Sequence, residues 1–209
     1  MDKLDFKKTD RPLYSGKPGR WDRIVVPAIR FLMIDGQGDP NAAGYASALA
    51  ALYPLAYGVK ALLKARGADF TVPPLEALWS AEDPSAFVTG ERAAWRWTAM
   101  IRLPDGAGAQ DVETARAAAA ARARRKPGSD PGMFARIRLA VLDEGDCLQT
   151  LHVGPFSAEA PVLAALHERE MPELGLTFNG AHHEIYLSDA RRTAPDRLRT
   201  ILRQPVRPL

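Results

Sequence analysis

The clearest guide to the architecture is HHEIYLSD at residues 182–189, which has an earlier counterpart in LEALWS at residues 75–80. Each stretch has the length and the apolar character of a strand, and each contains one glutamate, Glu184 or Glu76, among mainly apolar neighbours. The two glutamates superimpose when the stretches are aligned. We infer that the chain contains an internal repeat.

Alternation in the later stretch predicts which way its side chains point, because successive residues of a strand face opposite sides of a sheet. The apolar set, centred on Ile185, is expected to face the helices of the fold. The opposite set is polar and aromatic, and it consists of His182, Glu184 and Tyr186.

Each copy of the repeat has the order strand, helix, strand, strand. The first copy consists of RFLMID at 30–35, an alanine-rich helix at about 44–66, LEALWS, and a strand within 93–104. The second copy consists of CLQTLHV at 147–153, a helix within 157–171 with Pro161 in its first turn, HHEIYLSD, and a closing apolar segment at 198–206 of undecided type. This order predicts an α+β fold of duplicated modules with pseudo-two-fold symmetry, in which a mostly antiparallel sheet carries helices on one face.

The segments between the copies complete this prediction. Residues 136–153 are typical of a hairpin with its turn at 144–146, and residues 111–125 have strong helix propensity. We expect one domain over residues 1–209, with a first half at about 25–105, a connector helix at about 110–126 and a second half at about 132–209.

Composition excludes several classes of protein. The 209 residues include 28 Lys plus Arg and 25 Asp plus Glu, with 46% hydrophobic residues, which is typical of a globular protein rather than a collagen-like or disordered one. The sequence has no continuous apolar run of membrane-spanning length, and its N-terminus does not resemble a secretory signal. A single cysteine, Cys147, excludes an intrachain disulfide. We therefore expect a cytoplasmic location.

Charge is distributed unevenly along the chain. Basic residues are concentrated in residues 1–25, 122–138 and 191–209, whereas the remainder is acidic. This pattern argues against a continuous nucleic-acid groove and is compatible with an acidic pocket that attracts cations. Solvated surface charge explains the same runs equally well.

Searches for cofactor and metal motifs find none. The sequence lacks GxGxxG, GxxxxGK[ST], GxSxG, HExxH and CxxC patterns, and Cys147 with His152 is too sparse a set for zinc. We expect no cofactor and no metal.

Two glutamates on apolar strands are the strongest candidates for function. A carboxylate removed from water needs a partner or a proton, and burial raises its pKa. Glu184, and its repeat counterpart Glu76, therefore meet either a ligand or a structural arginine or histidine.

Aromatic residues are concentrated near the same elements. They are Tyr53, Tyr57, Trp79, Trp95, Trp97, Phe156 and Tyr186. Each one alone is typical of a core, but together with a carboxylate they suit a flat or cationic organic ligand. His152, at a strand end before Gly154-Pro155, is either a hydrogen-bonded structural residue or part of the same site.

The alanine-rich helix has two stripes with different character. Tyr53 and Tyr57 lie four residues apart on one stripe, which could border a cavity. The other stripe is aliphatic, is expected to enter the core, and consists of Leu52, Leu55, Val59 and Leu62. Pro54 is expected to kink or divide this helix.

These stretches resemble the GyrI-like small-molecule-binding family in its stand-alone, single-domain branch. The matching segments are FLMIDGQGDPN, ALYPLAYGVK, VPPLEALWS, WRWTAMIRLP, EGDCLQTLHVGPFSAE and HHEIYLSDARRTAPDRLRTILR. The resemblance implies a ligand groove between the two halves, lined by aromatics around a central glutamate that falls at Glu184. The matching aromatic positions are Tyr53, Tyr57, Trp79, Trp97 and Tyr186, with His152 at the matching strand end.

The resemblance also implies a range of functions. The first is binding of hydrophobic, often cationic, aromatic small molecules, as in xenobiotic sequestration. The second is hydrolysis, as in family members that add water to the strained cyclopropane of DNA-alkylating natural products. Here Glu184 would be the general base, and Tyr53, Tyr57 or His152 would donate a proton. Ser80 replaces a tryptophan that is common in the family, which implies a wider pocket on that side.

A third hypothesis is a partner-binding module, similar to the gyrase-inhibiting members of the family, with the basic tail at 191–207 as a docking surface. The protein partner itself is not indicated by the sequence. The segment before the first strand is too short for a helix-turn-helix, so we expect neither direct nucleic-acid binding nor membrane insertion.

Overall fold

A computed structural model of the protein describes residues 3–83, 86 and 89–209. The chain forms two compact units. The first unit contains the N-terminal residues through Thr9, then Ile29–Pro73 and Ala81–Leu142. The second unit contains the remaining segments, which are Asp10–Ala28, Pro74–Ser80 and Asp143–Leu209. The units coincide only in part with the expected halves, since the LEALWS strand belongs to the second.

The strands and helices are numbered along the chain. The strands are β1 (Asp22–Val26), β2 (Ile29–Gln37), β3 (Glu76–Ser80), β4 (Arg96–Arg102), β5 (Arg138–Leu142), β6 (Gly145–Val153), β7 (Leu176–Phe178), β8 (His182–Tyr186) and β9 (Arg199–Pro208). The α-helices are α1 (Phe6–Thr9), α2 (Ala43–Ala65), α3 (Ala109–Ala123), α4 (Ala160–Ala165) and α5 (Met171–Glu173). Short 3-10 turns are Arg11–Tyr14, Arg92–Ala94, Pro131–Arg136, Phe156–Ala158 and Pro195–Arg197.

In the first unit, β2 lies between β4 and β5 and pairs antiparallel with both. Helix α2 packs on β2 and β4, and its aliphatic stripe enters the core as expected, with Leu52, Leu55 and Val59 fully buried. Leu62 is only half-buried, and Leu63 is buried instead. The helix predicted between the halves forms as α3, and it packs against α2.

Helix α2 differs from the sequence-based expectation at Pro54. It runs from Ala43 to Ala65 without a break at this residue, whose side chain is exposed on the helix surface. It is long and apolar enough to cross a membrane by length and composition alone, although polar residues such as Ser47 and Lys60 interrupt it. Its buried face, however, packs within the first unit, and a core helix satisfies the same criteria.

In the second unit, five strands pair antiparallel in the order β1, β6, β9, β8, β3. The short β7 pairs with the end of β9. The closing apolar segment, whose type was undecided from the sequence, forms strand β9. This strand has partners on both edges. Both units confirm the α+β prediction of mostly antiparallel strands combined with helices.

The hairpin predicted within residues 136–153 is wrong. Strand β5 pairs with β2 in the first unit, whereas β6 pairs with β1 and β9 in the second. Both edges of β6 are occupied by these strands, so no edge is left for β5. A turn signal at 144–146 marks a change of direction, but it does not determine which strand becomes the partner.

The helix predicted within residues 157–171 forms in several pieces. A 3-10 turn precedes α4, a π-helical turn at Leu166–Glu170 follows, and α5 ends the segment. Pro161 lies in the first turn of α4, as expected. The segment contributes Leu166 and Met171 to a hydrophobic cluster of this unit that also contains Leu148, Leu176 and Val206.

Candidate functional site

Strand β8 separates a buried polar network from a more open face. His183 and Ile185 have no exposed surface, while His182, Glu184 and Tyr186 lie on the opposite side and are partly exposed. This is the alternation that the sequence predicts. Since Ala77 of β3 lies directly opposite Glu184, the small alanine side chain leaves room beside the carboxyl group.

Glu184 is held in place by aromatic side chains. The Tyr186 hydroxyl donates to Oε2 of Glu184 at 2.7 Å, and the Trp79 indole Nε1–H donates to the Tyr186 oxygen at 3.1 Å. The Glu184 side chain is 14% exposed. Burial raises its pKa to about 7, although the bonds from Tyr186 and Trp79 and the charge of His183 oppose the shift. A carboxyl group in this state changes its charge near neutral pH.

Phe156 extends the aromatic surface around this carboxyl group. Its ring packs edge-on against Tyr186, with centroids 5.6 Å apart and planes at 80°. The Phe156 side chain is 43% exposed, which is high for a ring of this size. Phe156 and Tyr186 therefore form an aromatic surface in the second unit, and the buried Trp79 lies behind Tyr186. The Glu184 carboxyl group is bonded to this tyrosine.

His182 is the other polar neighbour of Glu184. Its Nε2 lies 3.8 Å from Oε1 of Glu184. Burial and the nearby charge of His183 lower the pKa of His182 to about 3, so the imidazole is neutral. The contact is therefore not an ion pair, and it leaves Glu184 without a cationic side-chain partner among the described residues of this unit.

His152 lies on the same face, since the cross-strand register places it opposite Thr200, which in turn lies opposite Tyr186. Its ring Nε2 is 3.1 Å from the Pro155 carbonyl oxygen, and the side chain is buried. With the proton on Nε2, the ring donates to this carbonyl and fixes the turn that leads to Phe156. This contact corresponds to the structural alternative that the sequence left open.

Glu159 belongs to this neighbourhood, although no sequence pattern indicates it. It directly follows the Phe156–Ala158 turn and is only 5% exposed. Burial and the charge of Glu184 raise its pKa to about 9, with the Thr200 hydroxyl opposing the shift. Glu159 directly precedes a helix, and a glutamate at the start of a helix is usually exposed to solvent. The hydrophobic periodicity of the sequence therefore does not predict that this residue is buried.

Glu76 is not brought together with Glu184. It pairs with Ile185 across the strands and lies on the opposite face of the sheet, where it is 1% exposed. Its Oε2 lies 3.0 Å from Nε2 of His183, and the Tyr14 hydroxyl donates to Oε1 at 3.4 Å. The repeat alignment made Glu76 the counterpart of Glu184 and left open a ligand or a structural partner for it, and the cross-strand register places the two glutamates on different faces of the sheet.

Glu76 is part of a buried ionic network. Nδ1 of His183 contacts Oε1 of Glu144 at 2.9 Å, and Nη1 of Arg203 donates to Oε2 of Glu144 at 2.9 Å. Burial alone would raise the pKa of Glu144, but the charges and bonds of His183 and Arg203 lower it to about 2. Arg203 is 2% exposed and also donates to Gln149. This arginine of the basic tail is therefore internal and cannot serve as a docking surface.

The other predicted aromatics lie in the first unit. Trp97 is buried, packs edge-on against Tyr45 with centroids 4.9 Å apart, and its Nε1 has no hydrogen-bond partner within the described part of the chain. Tyr45 lies about two helical turns before Tyr53 on α2. Tyr53 is half-buried and Tyr57 is 56% exposed. The first unit thus carries a tyrosine stripe beside a buried tryptophan.

A surface cavity of about 340 Å³ in the first unit lies between α3 and the Pro131–Arg136 turn, and none of the predicted site residues lines it. Within residues 3–83, 86 and 89–209, no group of three or more His, Cys, Asp and Glu side chains is arranged to hold a metal ion.

The fold has counterparts in known proteins. The chain belongs to the family of GyrI-like small-molecule-binding domains, whose model matches residues 24–207. Its fold confirms the resemblance seen in the sequence. No protein of curated function matches the chain.

Three solved structures from Listeria innocua are similar over nearly the whole chain. An uncharacterized conserved protein is 40% identical, with a TM-score of 0.87, and the match covers 98% of this chain and 100% of that one. A hydrolase is 38% identical, with a TM-score of 0.81 and coverage of 98% and 100%. A second structure described as a hydrolase is 38% identical, with a TM-score of 0.84 and coverage of 99% and 100%.

Proposed function

We propose that the protein binds a lipophilic, aromatic, cationic small molecule at the face of the second unit that carries Glu184. The observation that carries this proposal is a largely buried carboxyl group that has no cationic side-chain partner within residues 3–83, 86 and 89–209 and that lies beside an aromatic surface with an exposed ring, Phe156. Membership of a small-molecule-binding family supports it.

The electrostatics favour a cation as the ligand. An unpaired carboxylate in a desolvated site is costly, and the raised pKa of Glu184 expresses that cost. A bound cation supplies the missing opposite charge and stabilises the ionised form. Binding should therefore strengthen as the pH rises through about 7, because deprotonation of Glu184 provides the counter-charge.

The aromatic surface favours a flat, apolar ligand body. Phe156 and Tyr186 present ring faces and edges on which an aromatic molecule can stack, and a cation near such rings gains a further attraction. Tyr53, Tyr57, Trp97 and His152 remain predictions as ligand contacts.

Substitution of Glu184 tests this function. Ethidium, a permanently charged planar aromatic cation, serves as a fluorescent probe of binding. The Glu184→Gln variant should bind it more weakly by about 1–3 kcal/mol, which is roughly 5- to 150-fold in Kd. Glu168→Gln on the exposed surface is the matched control, because it removes the same charge and should leave Kd unchanged. Equal affinity of the Glu184→Gln variant and the wild type for a panel of such dyes would refute the proposal.

A second candidate function is hydrolysis of an electrophilic strained ring, and the two relatives described as hydrolases favour it. Glu184 would take a proton from water as the water oxygen bonds to a ring carbon. The ring carbon–carbon bond would break, with its electron pair moving onto a conjugated carbonyl oxygen that then receives a proton, for which His152 is the candidate donor in this unit. A carboxyl group that titrates near neutral pH suits the role of the base.

Mass spectrometry distinguishes this activity from binding alone. A cyclopropane-containing alkylating compound incubated with the protein should gain the mass of one water, and the rate should fall sharply in the Glu184→Gln variant. Unchanged substrate, or equal product with the variant, would eliminate hydrolysis while leaving the binding proposal intact.

A further inference from the structure

Glu159 has an unusual environment for a glutamate at the start of a helix. Its side chain is 95% withdrawn from solvent, and Oε1 has no hydrogen-bond partner among the described residues. The nearby Thr200 hydroxyl, which opposes the raised pKa of Glu159, also lacks a bond of good geometry. A buried polar atom without a partner carries a penalty of about 1–3 kcal/mol, so such an atom usually meets a ligand or water.

The cross-strand register connects Glu159 to Glu184, because Thr200, whose hydroxyl opposes the raised pKa of Glu159, lies opposite Tyr186, the tyrosine that is bonded to Glu184. The charge of Glu184 contributes to the raised pKa of Glu159, so the two carboxyl groups repel each other when both are ionised. Two like charges in a desolvated site cannot both be ionised near neutral pH without a compensating cation. The carboxyl group with fewer hydrogen-bond donors therefore keeps its proton. That group is Glu159, because Tyr186 and Trp79 stabilise the ionised form of Glu184, whereas Oε1 of Glu159 has no partner among the described residues.

The other titratable groups around the pair cannot neutralise it. Tyr186 donates to Glu184 as a neutral phenol, and His182 is uncharged because burial lowers its pKa to about 3. His183 lowers the pKa of Glu184 through its charge, but it faces the other side of the strand and is bonded to Glu144. Among the described residues of the unit, Glu184 is the charged group that acts on Glu159.

We propose that Glu159 is a second acidic residue of this binding site, which stays protonated beside an ionised Glu184 and donates a hydrogen bond from its carboxylic acid to the ligand. This inference rests on the proposed binding function and extends it. The pair then carries a single negative charge at neutral pH. The site therefore fits an organic molecule with one positive charge and a hydrogen-bond acceptor close to that charge.

The pH profile of ethidium binding tests the proposal. In the wild type, affinity should rise in two steps, first near pH 7 as Glu184 ionises and again toward pH 9 as Glu159 ionises. Each step is limited to about tenfold per pH unit for one proton released. The Glu159→Gln variant should keep the first step, lose the second and bind within about twofold of the wild type at neutral pH, since glutamine mimics the protonated acid.

The outcomes separate this inference from the function on which it rests. A second step that persists in Glu159→Gln, or a large loss of affinity in that variant at neutral pH, would overturn the role of Glu159. Failure of the wild type to bind ethidium or related cations would instead overturn the binding function. Glu168→Gln is the matched control and should reproduce the complete wild-type profile.

Thermal unfolding without ligand provides an independent readout. A carboxyl group with a raised folded-state pKa stabilises the fold at low pH, and this contribution is lost as the pH rises through the folded pKa. The melting temperature of Glu159→Gln relative to the wild type should therefore increase between about pH 5 and pH 9. A difference that does not vary with pH would show that Glu159 does not hold a proton in this range.

Discussion

Replacing Glu144 by glutamine should destabilise the second unit by about 3–5 kcal/mol at neutral pH, the usual cost of removing one partner from a buried ion pair. The substitution removes the negative charge that faces His183 and Arg203. In the wild type, a carboxylate oxygen of Glu144 lies 2.9 Å from His183 Nδ1 and the other lies 2.9 Å from Arg203 Nη1. The Arg203 guanidinium is 2% exposed, so no water replaces the carboxylate.

The pKa of Glu144 leads to a similar magnitude. Its decrease from 4.5 to about 2 corresponds to about 3 kcal/mol, since one pKa unit is worth about 1.36 kcal/mol. A group with a lowered folded-state pKa stabilises the fold above its unfolded pKa, and this contribution is lost as the pH falls through the folded value. The destabilisation by Glu144→Gln should therefore shrink to about 1 kcal/mol at about pH 3.

Urea unfolding followed by tryptophan fluorescence at neutral pH and at about pH 3 measures both values. The exposed substitution Glu168→Gln is the control and should change the free energy of unfolding by less than about 0.5 kcal/mol. A Glu144→Gln effect below about 1 kcal/mol at neutral pH, or an effect independent of pH, would refute this account of the network.

Three further predictions concern single side chains. Gly36→Ala should destabilise the first unit by about 1–3 kcal/mol in thermal unfolding, because an added Cβ would lie 2.1 Å from the Trp97 ring. Cys147 should resist thiol reagents until the protein unfolds, since burial and the charge of Glu144 raise its pKa to about 12. Tyr186→Phe should move the pH midpoint of ethidium binding upward, because the tyrosine bond lowers the pKa of Glu184.

Controls for these predictions are available in the same chain. Gly106→Ala adds a methyl group that meets no atom within 4 Å, so it should leave the melting temperature unchanged. Rapid labelling of Cys147 in the folded protein, or an unchanged or lower pH midpoint in Tyr186→Phe, would contradict the packing and the hydrogen bond described above.

Periodicity predicted the parts of the fold that depend on local patterns. Strand β8 has its apolar side buried as Ile185 indicates, and α2 buries Leu52, Leu55 and Val59. These outcomes follow because a strand with period two, or a helix with period 3.6, has only one face that can be buried favourably. The order of the main elements follows from the same patterns.

Pairing between distant strands could not be predicted in this way. The register that puts Ala77 rather than Glu76 opposite Glu184 is decided by two strands more than 100 residues apart, and the pattern of either strand alone does not determine which residues pair across them. Strand β5 likewise has a turn signal before β6 but pairs with β2.

Charged groups were the least predictable part of the site. Arg203 and Glu144 lie 59 residues apart in sequence, and each resembles a surface residue in its local context. Glu159 is similar, because its burial arises only when the Phe156–Ala158 turn folds over β9 and β8. The sequence and the resemblance could identify Glu184 as the candidate, but not the acid beside it.

The most direct test of the central claim is a crystal structure of the protein with ethidium bound. The account predicts the cation within about 4–6 Å of the Glu184 carboxylate, with its rings against Phe156 and Tyr186. A dye bound away from Glu184, or the same binding position in crystals of Glu184→Gln grown at equal dye concentration, would contradict it.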